Sequence, residues 1–138
     1  MNIYESRCFT DTDVLVNGLV SIDEEKHLAS KELLKEVEQG NIIIVTDFLV
    51  LTETFHILAK YKGEDTATEM IRKLLSLSGF ATIPLDEFTY FEALKRVGRY
   101  NLKFNDLIHY TVALLQNVSG IYSYDKHFKG LEIKRIEP

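Results

Sequence analysis

The acidic residues with the most chemical promise come from four well-separated segments. Asp11 and Asp13 flank Thr12 just after the short stretch Arg7–Thr10. Glu53 stands in a largely apolar run with Leu49, Phe55, Ile57 and Leu58. Asp106 precedes Leu107-Ile108, and Asp125 follows the stretch Ile121–Tyr124. Carboxylates drawn together raise one another's pKa unless a cation neutralises them. A cluster offering only oxygen selects a hard divalent ion, Mg2+ or Mn2+. Singly, each acid has a plainer reading. Asp106 suits the positive end of a helix. Asp125 before Lys126-His127-Phe128 suits a turn. Glu53 suits a half-buried ion pair, and Asp11-Thr12-Asp13 a capping loop. The argument for chemistry is their joint placement, which depends on the scaffold.

The pattern of the chain predicts that scaffold. Arg7–Thr10 reads as a short strand meeting a loop at Asp11-Thr12-Asp13. Ser21-Ile22-Asp23-Glu24 has the form of a capping box, opening a helix that ends at Gly40. The β-branched run in Asn41–Val45 reads as a fully buried strand. Thr46 or Asp47 then caps a helix through about Tyr61, stopped by Gly63. A further helix runs from about Asp65 to Leu77, ended by Gly79. Phe80–Ile83 is a strand closed by Pro84, and Asp86 caps a helix to Val97. Asn105 caps another through Asn117, with Phe104 as a hydrophobic partner for Ile108. Ile121–Tyr124 is a strand, Asp125–Lys129 a helical turn and Ile133–Ile136 a last strand. Strands alternating with helices imply a parallel sheet within a three-layer α/β/α sandwich. Right-handed crossovers bring every strand's carboxyl end to one side, and ligands bind there where strand order reverses. Asp11 and Asp125 both fall on that edge.

Composition narrows the class. The chain has 138 residues, 46% hydrophobic and 27% charged, which fits one globular domain spanning 1–138. Cys8 alone excludes an internal disulfide and a thiolate zinc site built from this chain. Apolar stretches such as Ile42–Val45 are too short to span a membrane. The opening residues Met1–Arg7 lack an apolar run of the signal-peptide kind, so a cytoplasmic address is the default expectation. Net charge is −5, unlike that of a general nucleic-acid binder, but it is uneven. Residues 1–69 hold 6 Lys/Arg against 14 Asp/Glu, and residues 70–138 hold 10 against 7. Lys95, Arg96, Arg99 and Lys103 fall close together with no acid between them. They read either as a solvated helix face or as a phosphate-contacting edge beside an acidic site. His27, His56, His109 and His127 share no metal-binding spacing and read as core or surface residues. Tyr100, Tyr110, Tyr122 and Tyr124 offer rings for stacking on bases, though most read as packing.

With these residues in order, the chain resembles the PIN-domain ribonucleases of the VapC toxin type over nearly its whole length. That family opens with an apolar strand, Asp-Thr-Asn and a short leucine-rich helix, matched here by Phe9-Thr10-Asp11-Thr12-Asp13-Val14-Leu15. Its second acid is a Glu inside the helix after the second strand, matched by Val50-Leu51-Thr52-Glu53. Its third opens a long later helix, matched by Phe104-Asn105-Asp106-Leu107-Ile108. Its fourth lies in a Thr/Ser-x-Asp-x-x-Phe segment, matched by Ser123-Tyr124-Asp125-Lys126-His127-Phe128. Asp13 replaces the usual Asn, and Thr10 stands where an apolar residue is common.

The resemblance implies a sheet of order 3-2-1-4-5. It also implies Mg2+ or Mn2+ held by Asp11, Asp106 and Asp125, with Glu53 directly or through water and Asp13 as a possible addition. Thr12 and Ser123 would support the acids, and Lys126 would stabilise a leaving oxygen. Lys95, Arg96, Arg99 and Lys103 would contact RNA. The implied activity is metal-dependent hydrolysis of single-stranded or loop RNA, by a homodimer with a possible antitoxin protein as partner. The apolar helices at 46–61 and 65–77 offer surface for the dimer. Two other readings stand beside it. One is a degenerate PIN module that binds RNA or protein without cleaving. The other is a haloacid-dehalogenase-like phosphohydrolase, suggested by Asp-x-Asp after a strand, which leaves Glu53 and Asp106 unexplained.

Overall fold

The computed structural model describes residues 7–138. Five strands form one sheet: β1 (Arg7–Thr10), β2 (Ile43–Asp47), β3 (Phe80–Ile83), β4 (Ile121–Tyr122) and β5 (Arg135–Ile136). Six helices connect them: α1 (Thr12–Leu19), α2 (Glu24–Glu38), α3 (Phe48–Lys62), α4 (Glu64–Ser76), α5 (Glu87–Lys95) and α6 (Phe104–Leu115). The order is β3-β2-β1-β4-β5, and every neighbouring pair is parallel. The expected α/β class and strand order are therefore observed.

Residues in register share a face, because side chains alternate along a strand. Phe9 pairs with Val45 on one side and Ile121 on the other, and all three enter a cluster with Leu51, Tyr110 and Phe128. Cys8 pairs with Ile44 on the opposite face, where Ile44 packs with Val14, Leu33 and Val37. Both faces are thus covered, which is why β2 reads as an unbroken apolar run. Gly79 lets the turn into β3 pass close to the end of α2. A Cβ there would lie 2.4 Å from the Ile42 carbonyl oxygen and 2.8 Å from that of Val37. Among the described residues, no helix is long and apolar enough to cross a membrane.

Several local expectations change. The loop expected at 11–13 is absent: Asp11 caps α1, which starts at Thr12. Asp23, not Ser21, caps α2, accepting from the Lys26 N–H at 3.2 Å. Asn105 does not cap α6. Lys103 holds that position without a side-chain bond, and Asn105 lies inside the first turn. Phe104 is already helical, and its ring meets Tyr90 edge-on at 5.4 Å rather than acting as a staple. β4 and β5 are two residues each, shorter than expected: β4 ends at Tyr122, after which Ser123 turns to the site, and β5 starts at Arg135.

Candidate active site

The first acid is fixed by the strand that carries it. Asp11 follows β1 and is almost wholly buried. One carboxylate oxygen accepts the Thr12 N–H at 2.8 Å, and the other accepts the Ser123 hydroxyl at 2.9 Å. The same Ser123 oxygen accepts the Asp125 N–H at 3.0 Å. One serine beyond β4 therefore ties the acid of β1 to the acid segment after β4. Asp13 accepts the Tyr124 N–H at 3.1 Å, a second tie between the same segments. Asp125 caps the 3-10 turn Lys126–Phe128, accepting the His127 N–H at 2.9 Å.

Asp11, Thr12, Asp13 and Asp125 line one cavity of about 390 Å3 with Glu53 from α3 and Asp106 from the first turn of α6. Its outer wall includes the apolar side chains of Ile22, Ile57 and Tyr61. All five acids singled out by position thus come together at the switch point of the sheet.

Three of these acids are held above the usual carboxylate range. Burial pushes Asp11 up to about 6, against the pull of His109 and the Thr12 and Ser123 hydrogen bonds. Burial and the neighbouring Asp11 push Asp13 up to about 7. Burial also raises Asp106, with Asp125 and Glu53 adding to it and His109 opposing it.

A hard divalent ion fits this donor set. Asp13 Oδ1, Thr12 Oγ1 and Asn17 Oδ1 are buried without a hydrogen-bond partner, and all three residues line the cavity. Buried polar atoms left unpaired are costly, and these three are all oxygens able to face a cation. Among the described residues, no three His, Cys, Asp or Glu side chains already stand close enough to grip an ion.

A histidine completes the site from behind. His109, on α6 one turn after Asp106, is 1% exposed. Its Nδ1 lies 2.7 Å from Asp47 Oδ2, and its Nε2 lies 2.8 Å from Glu53 Oε1. Ionised carboxylates only accept, so both ring nitrogens donate. Burial works against the charged imidazolium, but the bonds to Asp47 and Glu53 prevail and raise its pKa to about 10.

The PIN domain family model matches residues 8–134. The chain belongs to the PIN-domain family. Among solved structures, it resembles VapC20 of Mycobacterium tuberculosis, described as a Sarcin-Ricin loop cleaving toxin. The TM-score there is 0.75 at 19% identity, over 95% of this chain and 99% of that one. A toxin-antitoxin complex from Klebsiella pneumoniae gives 0.67 at 20% identity, over 95% and 97%. VapBC2 from Rickettsia felis, bound to a DNA fragment from its promoter, gives 0.68 at 17% identity, over 95% and 98%. These likenesses show a shared fold. No curated protein matches the sequence. The family match leaves the haloacid-dehalogenase reading without support.

The basic residues of this PIN domain differ in their surroundings. Lys95 and Arg96 both pair with Glu92, at 3.0 and 2.9 Å, one turn earlier on α5. Arg99 is exposed. Lys103 lines a shallow cavity with Asp106, Asp125 and His127, directly beside the acids. Lys126 instead lines a separate cavity with Asp23, Tyr124 and Glu137. The tyrosines are largely occupied: Tyr110 is fully buried, Tyr100 donates to Glu132 at 2.7 Å, and Tyr124 bonds Ser30 at 2.8 Å. Sequence reasoning missed Asp47 beyond its capping role and His109 beyond its place in the core.

Proposed function

We propose that this PIN domain is a divalent-metal-dependent endoribonuclease of the VapC toxin type. One observation carries the reading: five carboxylates from four chain segments line a single cavity with unpaired buried oxygens. Asp11, Asp106 and Asp125 would hold Mg2+ or Mn2+, with Glu53 beside them and Asp13 as a further oxygen donor. A bound ion would supply positive charge for the phosphodiester and lower the pKa of a water, so that a nucleophile is available near neutral pH.

The chain's own residues do the rest. Ser123 fixes Asp11 against the Asp125 segment, and the Thr12 N–H donates to Asp11 from the helix side. An oxygen of Glu53 or Asp106 orients the attacking water and accepts its proton. Lys103, and Arg99 further along, draw the phosphate backbone to a net-acidic protein. Tyr61, Ile22 and Ile57 offer an apolar wall for an unpaired base. The Mycobacterium tuberculosis neighbour's description as a Sarcin-Ricin loop cleaving toxin favours a loop in RNA as substrate.

The toxin-antitoxin complexes among the neighbours favour an antitoxin protein as partner. The family resemblance favours a homodimer, and α5 is the element best suited to form it. Phe88, Tyr90, Phe91 and Leu94 on α5 are exposed, as is Val97 just beyond it. The cytoplasm, where RNA and a reduced Cys8 coexist, is the fitting compartment.

The test is incubation of the purified protein with structured and unstructured RNA, in Mn2+ or EDTA, beside Asp11→Asn. Cleavage is expected only for the wild-type protein with Mn2+. The variant should fold normally, because it removes charge without changing volume. Cleavage surviving both EDTA and the substitution would sink the mechanism. No cleavage of any RNA would favour the degenerate binding module.

A further inference from the structure

We infer that His109, anchored by Asp47, is a positioning residue for the Glu53 carboxylate. The inference rests on the metal-dependent reading above and adds a part to it.

Asp47 is a rigid anchor. It ends β2, pairs in register with Ile83 of β3 and is 0% exposed. Its Oδ1 accepts the Val50 N–H at 2.8 Å as the cap of α3, so only Oδ2 is left for His109. The imidazole is held by Asp47 on one edge and packed against Phe9, ring centroids 6.1 Å apart. Its second nitrogen is then aimed at Glu53 by geometry already fixed at the first. Glu53 has no such restraint of its own. Its side chain is 33% exposed and borders the cavity. A free Glu there would sample several rotamers, and its repulsion from Asp106 would favour those that swing away. With Oε1 held at 2.8 Å by Nε2, the carboxylate keeps Oε2 for the cavity. His109 also joins α6, which carries Asp106, to α3, which carries Glu53. One ring therefore sets the spacing of two acids that share no backbone contact in sequence. This is the role that outer partners play for metal-site carboxylates, where their loss typically costs about 10–100-fold in affinity or activity.

The plainer reading is that His109 only staples two helices. Two substitutions separate the readings, since Gln places an amide donor near the Nε2 position and Asn near Nδ1. Calorimetry of the full chain with Mn2+ alone is the readout, with thermal melts to confirm folding. His109→Gln, which keeps a donor toward Glu53 but loses the Asp47 anchor, should cost clearly less Mn2+ affinity than His109→Asn, which should lose about tenfold. In a Glu53→Gln background, His109→Asn should cost little more, because its route to the metal is already gone. Equal losses for Gln and Asn, or an undiminished loss in the Glu53→Gln background, would overturn the proposal. Should His109→Asn fail to fold, the wild-type protein supplies another arm. The His109 Nε2–H proton should be sheltered from exchange and should shift on adding Mg2+. A resonance indifferent to Mg2+ would overturn the inference. If wild-type protein binds Mn2+ and Glu53→Gln weakens it while His109→Asn does not, this inference alone falls. If wild-type protein binds no Mn2+, the metal-dependent reading falls and this one with it.

Discussion

Asp11 and Asp13 reach pKa values of about 6 and about 7 in the fold, with burial the leading cause for each. Both start near 3.8 in the unfolded chain. Between those values the folded state binds more protons than the unfolded state, so stability falls as pH rises from about 4 to about 7. For Asp11 the change is on the order of 2–3 kcal/mol. His109 works in another window: its raised pKa stabilises the fold below about 6.5, and that contribution fades only as pH climbs towards 10. Metal-free protein should therefore melt at a higher temperature at about pH 5 than at about pH 7.5. Excess Mg2+ should shrink or reverse the difference, because binding to ionised carboxylates releases protons. Calorimetric scans at several pH values decide it, and a melting temperature that rises with pH without metal would refute it. The acids themselves were legible in the sequence, since a carboxylate after a strand or in a helix's first turn can be placed from local pattern. His109 was not. Its partners Asp47 and Glu53 lie 62 and 56 residues away, and only the meeting of α3 and α6 brings them together.

At the level of elements, the termini of helices carry most of the site, and their caps were only partly readable. Asp47 and Asp86 cap α3 and α5 as their positions suggest. α6 departs from expectation, because Lys103 occupies its cap although Asn105 is the better capping residue. A cap at Asn105 would start the helix two residues later and make Asp106 its first residue instead of its third. The observed start puts a cation at the positive end of the helix, an unfavourable pairing. Lys103→Ser should therefore stabilise the fold by about 0.5–1 kcal/mol. It should also weaken RNA binding and flatten its salt dependence, because one phosphate contact beside Asp106 is lost. Lys95→Ala should barely affect binding, since Lys95 is paired with Glu92. Denaturant melts and salt-dependent binding assays check the pair. Equal binding losses for both substitutions would favour a continuous phosphate-contacting edge from Lys95 to Lys103.

At the scale of the whole molecule, the parallel α/β sheet was legible from alternating strands and helices, whereas its strand order, and so its switch point, was legible only through the family resemblance. The exposed apolar surface was not legible, because periodicity cannot say which face of a helix finds a partner. The run at 46–61 leaves Phe48 and Tyr61 exposed and the run at 65–77 leaves Leu75, but Leu51, Leu58 and Leu74 are spent on the core. α5 differs: Thr89 and Ala93 make its buried side, and Phe88, Tyr90, Phe91 and Leu94 face outwards. Large aromatics normally turn inwards, and small residues on the buried side let α5 lie close to α6. Contiguous exposed apolar surface of this kind marks an association site on a folded chain. A two-fold pairing of α5 against its copy would bury the same residues from both sides, as an isologous interface requires. Phe88→Ser with Phe91→Ser should convert a dimer at about ten micromolar into a monomer, with the monomer's fold intact because neither ring belongs to the core. Light scattering after size-exclusion chromatography measures the mass directly. A wild-type chain already monomeric at that concentration would remove the homodimer from the proposal. A variant that stays dimeric would move the interface to the exposed ends of α3 and α4.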